Sequence, residues 1–458
     1  MRPLTIAIVV ALPACAFGAG AVGWRTDGTG DYGGTNPPIV WSDDQAIVWK
    51  TATPAWSNAS PAVLEDRLFV LAEPSLLLCL DRASGAVRWS ASNDYDDVFD
   101  TKTIKQLKDD LERQKPDLER QLAELREKIE SFEETDRRSR RQLRRLGRQE
   151  EQLKRQISGE DPFGMPQAHG DNGYASATPI TDGEHVWALF GTGVVVCYDL
   201  EGRRRWARLI QKPTSGWGHS ASLRMVDKKL IVPIIDLFAL DPDTGKTLWR
   251  APSEAHWGTP AVARLGDTAV VITTAGQVVR AADGQVLASD LPRMNWNGPL
   301  VLENTVYFIE KKASAYELPA DSAEPFEPDP LWTTHIKDSR HYASPVVHEG
   351  LIYTISREAT LSVLDAQSGE LVYEKKMDLG GGGKNSVYTS LSFAGGRLFA
   401  GSLDGDFAVF KPGRSYQEVA RNRLERLRST PVFAGDRIYV RGLEHVYCLG
   451  RAPATASR

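Results

Sequence analysis

Through the second half of the chain an aromatic or arginine side chain recurs at nearly even intervals: Trp217, Trp257, Trp296, Tyr342, Tyr388 and Arg428. Rings with a polar edge are good recognition groups, because they bury much area while keeping a hydrogen-bonding tip. Trp56 and Tyr174 precede by two residues Asn58 and Ser176, which hold the same place in the earlier intervals. Trp56, Tyr174, Trp217, Trp257, Trp296, Tyr342, Tyr388 and Arg428 are therefore the candidate ligand- or partner-binding set, with wedging between strands as the competing role. Other chemistry is poorly served. The glycine-rich run from Leu379 to Asn385 lacks the spacing of a phosphate loop and a Ser or Thr after Lys384, so it reads as a flexible loop. His219, His256 and His341 fall near equivalent places but on segments too far apart to converge on one ion, so no metal is expected.

What must position these residues is a repeat. Ser60 to Trp89 reads SPAVLEDRLFVLAEPSLLLCLDRASGAVRW, and Ser344 to Tyr373 reads SPVVHEGLIYTISREATLSVLDAQSGELVY. With Pro61, Pro179, Ser220, Pro260, Pro299, Pro345, Leu391 and Pro431 taken as equivalent, the steps are 118, 41, 40, 39, 46, 46 and 40 residues. Each unit carries four short apolar strands separated by turns, which is a propeller blade, and no blade can bury both faces alone. The expectation is an all-β, eight-bladed propeller of four-stranded blades. Its eighth unit stops at Gly450, whereas Gln45 to Ala52 is an orphan strand carrying Trp49; pairing the two would close the ring and remove its edges.

The aromatic set lies three residues before the equivalent points, where the chain enters each innermost strand, so it should ring one mouth of the central channel. No carboxylate lies three to five residues before any point, which leaves acid–base catalysis or a calcium site without its groups there. Cys79, Cys197 and Cys448 occupy one strand position in three blades, beyond the roughly 7 Å reach of a disulfide, and read as core residues.

The segment Ala-Leu-Asp-Pro-Asp-Thr-Gly-Lys-Thr-Leu-Trp, residues 239 to 249, with weaker copies at 79 to 89, 197 to 206 and 363 to 373, resembles the tryptophan-docking repeat of the pyrroloquinoline-quinone-like β-propeller family. The resemblance covers roughly residues 24 to 90 and 168 to 450. It implies that Asp and Gly form the turn between the two outer strands and that Trp packs between neighbouring blades, with departures in blade four, where Leu287 lies near the Trp position, and in blade seven. Quinone-dependent alcohol dehydrogenases of this kind often carry an adjacent cysteine pair, and none exists here. The chain is more similar to the propeller lipoprotein of the outer-membrane protein assembly machinery. That implies an exported, non-catalytic scaffold of the bacterial envelope that binds envelope proteins and needs no cofactor. The alternative is a dehydrogenase or sensor that binds pyrroloquinoline quinone with calcium.

Between Trp89 and Gly170 the β pattern gives way to apolar residues at 122, 125, 129, 132, 143, 146, 153 and 157, a heptad spacing. Residues 117–136 hold eight acidic and three basic side chains, and 137–155 nine basic and two acidic. An inserted antiparallel coiled-coil hairpin at 100–160, turning near 134–139 and started or kinked at Pro116, would set these flanks against each other and offer a second partner surface. The whole chain carries 55 Lys and Arg against 60 Asp and Glu, which gives no electrostatic footprint for nucleic acid. Residues 1–21 read as a signal peptide, since the apolar run 3–14 is too short to span a bilayer. Leu12-Pro13-Ala14-Cys15 resembles a lipoprotein box, which makes Cys15 a candidate lipid anchor and the sole expected link to a membrane. The remaining divisions are 22–99 for the closing strand and blade one, 161–450 for blades two to eight, and a disordered tail at 451–458. The expected location is outside the cytoplasm, periplasmic or associated with the outer membrane.

Overall fold

The computed structural model describes residues 21–42, 45–157, 161, 163–254, 257–320, 324–380 and 387–450. The leader with Cys15, His256, most of the glycine-rich run and the 451–458 tail lie outside these residues. Eight antiparallel sheets form an all-β, eight-bladed propeller, with blades at 62–92, 180–209, 224–251, 261–288, 300–335, 346–376, 392–423 and 432–450. First strands of neighbouring blades touch one another, which makes them the innermost. The middle strands are largely apolar and buried on both faces at their centres, as in Leu76–Asp81. The outer strands alternate, as in Val87–Ser92.

The eighth sheet takes its outer strand from Ile47–Ala52, which pairs antiparallel with His445–Gly450 and sets Trp49 opposite Cys448. Trp49, Trp89, Trp206, Trp249 and Trp332 each reach into the next blade and donate Nε1–H to a backbone carbonyl, at 3.0, 2.9, 2.8, 2.9 and 3.0 Å. The ring of Trp206 lies against Gly245, where φ is +67° and a Cβ would approach the indole to 2.7 Å. Glycine is required there on both counts. In blade four Leu287 is buried without an indole, and its carbonyl accepts from Phe326 N–H instead. Blade seven has no outer tryptophan, and Trp41 is buried against Phe399 and Phe407 in the same core as Phe433 of blade eight.

The third repeat is out of the register assigned from sequence. Its inner strand begins at Arg224, so Leu223 rather than Ser220 is equivalent to Pro179 and Pro260. The cause is a pair of nearby serines, Ser220 and Ser222, of which the second makes the interblade contacts.

The turn-rich segment from Gly23 to Pro38 threads the channel. Val22 bridges to Thr181 of blade two, and Arg25, fully buried, donates to the carbonyls of Pro345 and Leu391 at 2.9 and 2.8 Å, at the start of blades six and seven. Asp31–Tyr32 then adds a parallel strand to the inner edge of blade seven. Blades two and six are opposite in a ring of eight, so the segment crosses the axis.

Between blades one and two lie α1 (Tyr95–Val98), α2 (Thr101–Glu130) and α3 (Arg137–Ile157). Asp100 caps α2 by accepting from Thr103 N–H at 2.6 Å. Helix α2 runs through Pro116 instead of starting there. The two long helices touch, and Arg126 pairs with Glu150 at 2.9 Å. Leu146 is buried, and the apolar residues at 122, 125, 129, 132, 143, 153 and 157 are half-buried. At the base, Phe163 sits edge-on to Tyr95 and Phe99, while Tyr95 donates its hydroxyl to Thr192 O at 2.7 Å. Among the described residues no helix is long and apolar enough to cross a membrane.

Candidate functional site

A staple of hydroxyls shapes the inner wall. The backbone N–H that opens each inner strand donates to the Ser or Thr of the next blade: Ser60 to Thr178, Thr178 to Ser222, Ser222 to Thr259, Ser344 to Ser390, Ser390 to Thr430, and Thr430 back to Ser60, all at 2.9 to 3.1 Å. Gly298 has no hydroxyl to contribute; there the backbones close in, and a Cβ would meet Thr259 O at 2.0 Å. These side chains look inward, so the residues just before them surround the channel mouth.

At that mouth lies a cavity of about 370 Å³. Six of the eight site residues read from the sequence line it: Trp217, Trp257, Trp296, Tyr342, Tyr388 and Arg428. Asn58, Ser176 and Ser220, each three residues before its repeat point once the third is moved to Leu223, line it as well, so that Trp217 reaches the mouth from six residues before and outside the repeat. Trp56 and Tyr174 are not among the lining residues. Trp56 lies behind Arg428, whose guanidinium is 5.8 Å from its ring, and Tyr174 turns its hydroxyl to Pro166 O at 2.8 Å. Trp24 of the crossing segment also lines the cavity, which makes that segment a floor and the channel a blind cup. Arg25 stands 5.3 Å from the Trp24 ring centre.

The rings form a continuous arc on blades five to seven. Trp296 meets Tyr342 edge-on at 5.8 Å, and Tyr342 stacks on Tyr388 at 5.0 Å. Guanidinium groups sit over them: Arg340 over Trp296, Arg357 over Tyr342 and Arg428 over Tyr388, each 5.8 to 5.9 Å from a ring centre. Opposite, Trp217 is 56% exposed and stacks on His169 at 4.1 Å. Asp171 is the one carboxylate among the described lining residues, and Arg428 holds it at 2.5 Å.

Half-buried carboxylates behind the wall fix the mouth loops. Glu73 accepts from the N–H groups of Tyr174 and Ala175, at 2.8 and 2.6 Å, and Glu310 from those of Asn295 and Trp296, at 2.6 and 2.8 Å. Burial nevertheless pushes both carboxyls above the usual range. His219 and His341 are buried, and desolvation lowers each to about 4, so both are neutral at physiological pH. Neither lines the cavity. Cys79, Cys197 and Cys448 are free, buried and raised by burial to about 12, 12 and 11, which leaves them inert. The cup thus offers rings, guanidinium groups and amides, and its described lining contains no histidine, cysteine or lysine.

Trp24, Asp171, Asn172, Asn297 and Arg340 were not found from sequence. Asn297 lies two residues before its repeat point, off the positions that carry the rings; Arg340 lies five before, the position of Trp56 and Tyr174, where its own repeat has no ring; and Asp171 and Asn172 arrive on the segment that returns from the helices.

Solved structures share the fold at low identity. BamB from Moraxella catarrhalis matches at 11% identity with a TM-score of 0.53, over 90% of this chain and 99% of that one. A europium-containing methanol dehydrogenase matches at 11% and 0.56, over 93% and 90% of the two chains. Quinohemoprotein alcohol dehydrogenase from Comamonas testosteroni matches at 10% and 0.54, over 91% and 79%. No curated protein matches. The family model described as outer membrane protein assembly factor BamB matches residues 18–104, 236–326 and 329–456, well over half of the sequence, and its unmatched middle contains most of the helical insertion and blade two. On that match, and with the eight-bladed ring and its docked tryptophans in place, the chain belongs to the outer membrane protein assembly factor BamB family.

Proposed function

We propose that this protein is a non-catalytic binding propeller of the bacterial envelope, holding protein partners at the aromatic mouth and along its helices. The observation that carries the reading is the blind cup itself: repeat after repeat places a ring or a guanidinium at one mouth, with the sole described carboxylate already engaged by Arg428. The insertion lies in the connection from the outer strand of blade one to the inner strand of blade two, and its return segment supplies Asp171 and Asn172 to the wall. Helices and cup therefore share one face of the disc. We read α2 and α3 as an antiparallel coiled-coil arm, on the strength of their half-buried apolar positions and the Arg126–Glu150 pair. The family's description as an assembly factor of the outer membrane supports export, an envelope setting and protein partners.

The methanol and alcohol dehydrogenases among the structural neighbours raise the quinone reading. The cup's donor set fits it poorly. A hard cation beside a quinone needs several oxygen ligands with charge among them, whereas the described lining offers neutral amide and hydroxyl oxygens and one carboxylate, bound to a guanidinium, and places Arg340 and Arg428 where a cation would be repelled. Reconstituting the purified protein with pyrroloquinoline quinone and calcium is expected to give no dye reduction with simple alcohols. Turnover there would overturn the non-catalytic reading.

A further inference from the structure

The cup wall carries polar atoms that the protein leaves without partners. Asn297 is 2% exposed, donates its amide to Ile309 O and His341 O at 3.0 and 2.8 Å, and leaves Oδ1 unbonded. Asn58 likewise donates to Asp171 O and Ser176 Oγ, at 2.8 and 2.9 Å, with its own Oδ1 buried and unbonded. Arg428 spends one nitrogen on Asp171 and keeps Nε buried and unbonded. Buried polar groups normally find partners, and each one left alone costs free energy that a ligand or ordered water can recover. Charge adds a second constraint. Arg340 and Arg357 have no carboxylate partner among the described residues, so the arc from Trp296 to Tyr388 is positive, and the floor ring Trp24 is backed by the buried cation of Arg25.

Asn297 Oδ1, on blade five beside the arc, calls for an N–H donor, and the guanidinium arc calls for an anion, with rings on every side for an apolar group. A carboxylate next to an amide N–H and an apolar side chain satisfies all three, and a blind cup admits a chain end and excludes a chain passing through. We propose that the cup binds the carboxyl-terminal end of a polypeptide, with the terminal carboxylate on the Arg340 side of the arc and an amide N–H of its last residues on Asn297 Oδ1. The proposal rests on the reading of the mouth as a partner site and names what that site recognises.

Calorimetry of the full chain with acetyl-alanyl-alanyl-leucine, as free acid and as carboxamide, tests it. The acid should bind about tenfold or more tightly than the amide, the range of a charge-assisted contact. Arg340→Ala should weaken the acid by about the same factor and the amide by less than about twofold, with Arg340→Lys recovering part of the loss. Arg340 is exposed and makes no ion pair among the described residues, so these variants should fold. Equal binding of acid and amide, or no binding of either, overturns the proposal. So does free leucine competing as well as the tripeptide, which would make the cup an amino-acid site. Partner cross-linking from position 217 is read separately: if it persists while the peptides fail, the mouth reading stands and the terminal-carboxylate proposal falls.

Discussion

Replacing Trp49 by alanine tests whether the ring is closed by the N-terminal strand. Trp49 is 8% exposed, caps the Gly85 turn of blade one and donates to Arg82 O at 3.0 Å. Truncating a buried tryptophan costs about 3 to 5 kcal/mol, including the cavity and the lost hydrogen bond. Melting entropy near 2.1 cal/mol/K per residue gives about 0.85 kcal/mol/K for roughly 400 ordered residues. The melting temperature should therefore fall by about 4 to 6 °C, accompanied by aggregation as the sheet edge opens. Trp249→Ala is the control, since Trp249 is 9% exposed and docks in the same way inside the ring. Scanning calorimetry reads both. A fall of about 4 to 6 °C for Trp249→Ala beside less than about 1 °C for Trp49→Ala would refute closure by this strand.

Three other outcomes are expected. Trp257→Ala combined with Tyr342→Ala should weaken partner binding while the protein keeps its β-rich circular dichroism; unfolding instead would make the rings wall packing. Replacing residues 100–159 by a short Gly/Ser linker should leave the propeller folded, because Tyr95, Phe99 and Phe163 at the base remain, and should cost helical circular dichroism and an envelope partner; collapse of the sheets would make the helices a structural support. Acid should destabilise the fold through His219 and His341, whose pKa values of about 4 lie below the unfolded 6.5, so their contribution is present above pH 6.5 and is lost as pH falls toward 4. At pH 5 that is on the order of 2 kcal/mol each, opposed by Glu73 and Glu310, whose raised values favour the folded state in acid. His341→Phe should flatten the acid limb of melting temperature against pH, and an unchanged slope would contradict the assignment.

The blades were legible because each strand's apolar pattern is local and eight units repeat it, with an Asp-to-Gly turn at 81–85, 199–202, 241–245 and 365–369. Trp49, Trp89, Trp206 and Trp249 were legible for the same reason, whereas Trp332 follows a stretch of sequence at 318–329 that lacks the Asp-to-Gly pattern. The register of blade three was not, because Ser220 and Ser222 look alike until the neighbouring blades choose between them. The channel-crossing segment was opaque, since both carbonyls that take the Arg25 guanidinium's hydrogen bonds lie more than 300 residues away in sequence. Trp56 and Tyr174 show the limit of reading by position: two residues from the lining row, each is carried behind the wall, Tyr174 by the Glu73 clamp and Trp56 against Arg428.

The central claim, that this mouth is where partners bind, is tested most directly by placing a photo-crosslinking amino acid at position 217, where the native side chain is 56% exposed on the rim of the cup. The same probe at position 371, on the outer face of blade six, serves as the reference. In intact envelopes the account predicts a discrete protein adduct from position 217 that is absent from position 371 and lost in the Trp257→Ala, Tyr342→Ala background. Adducts from 371 alone, or a 217 adduct that survives loss of the two rings, would contradict it.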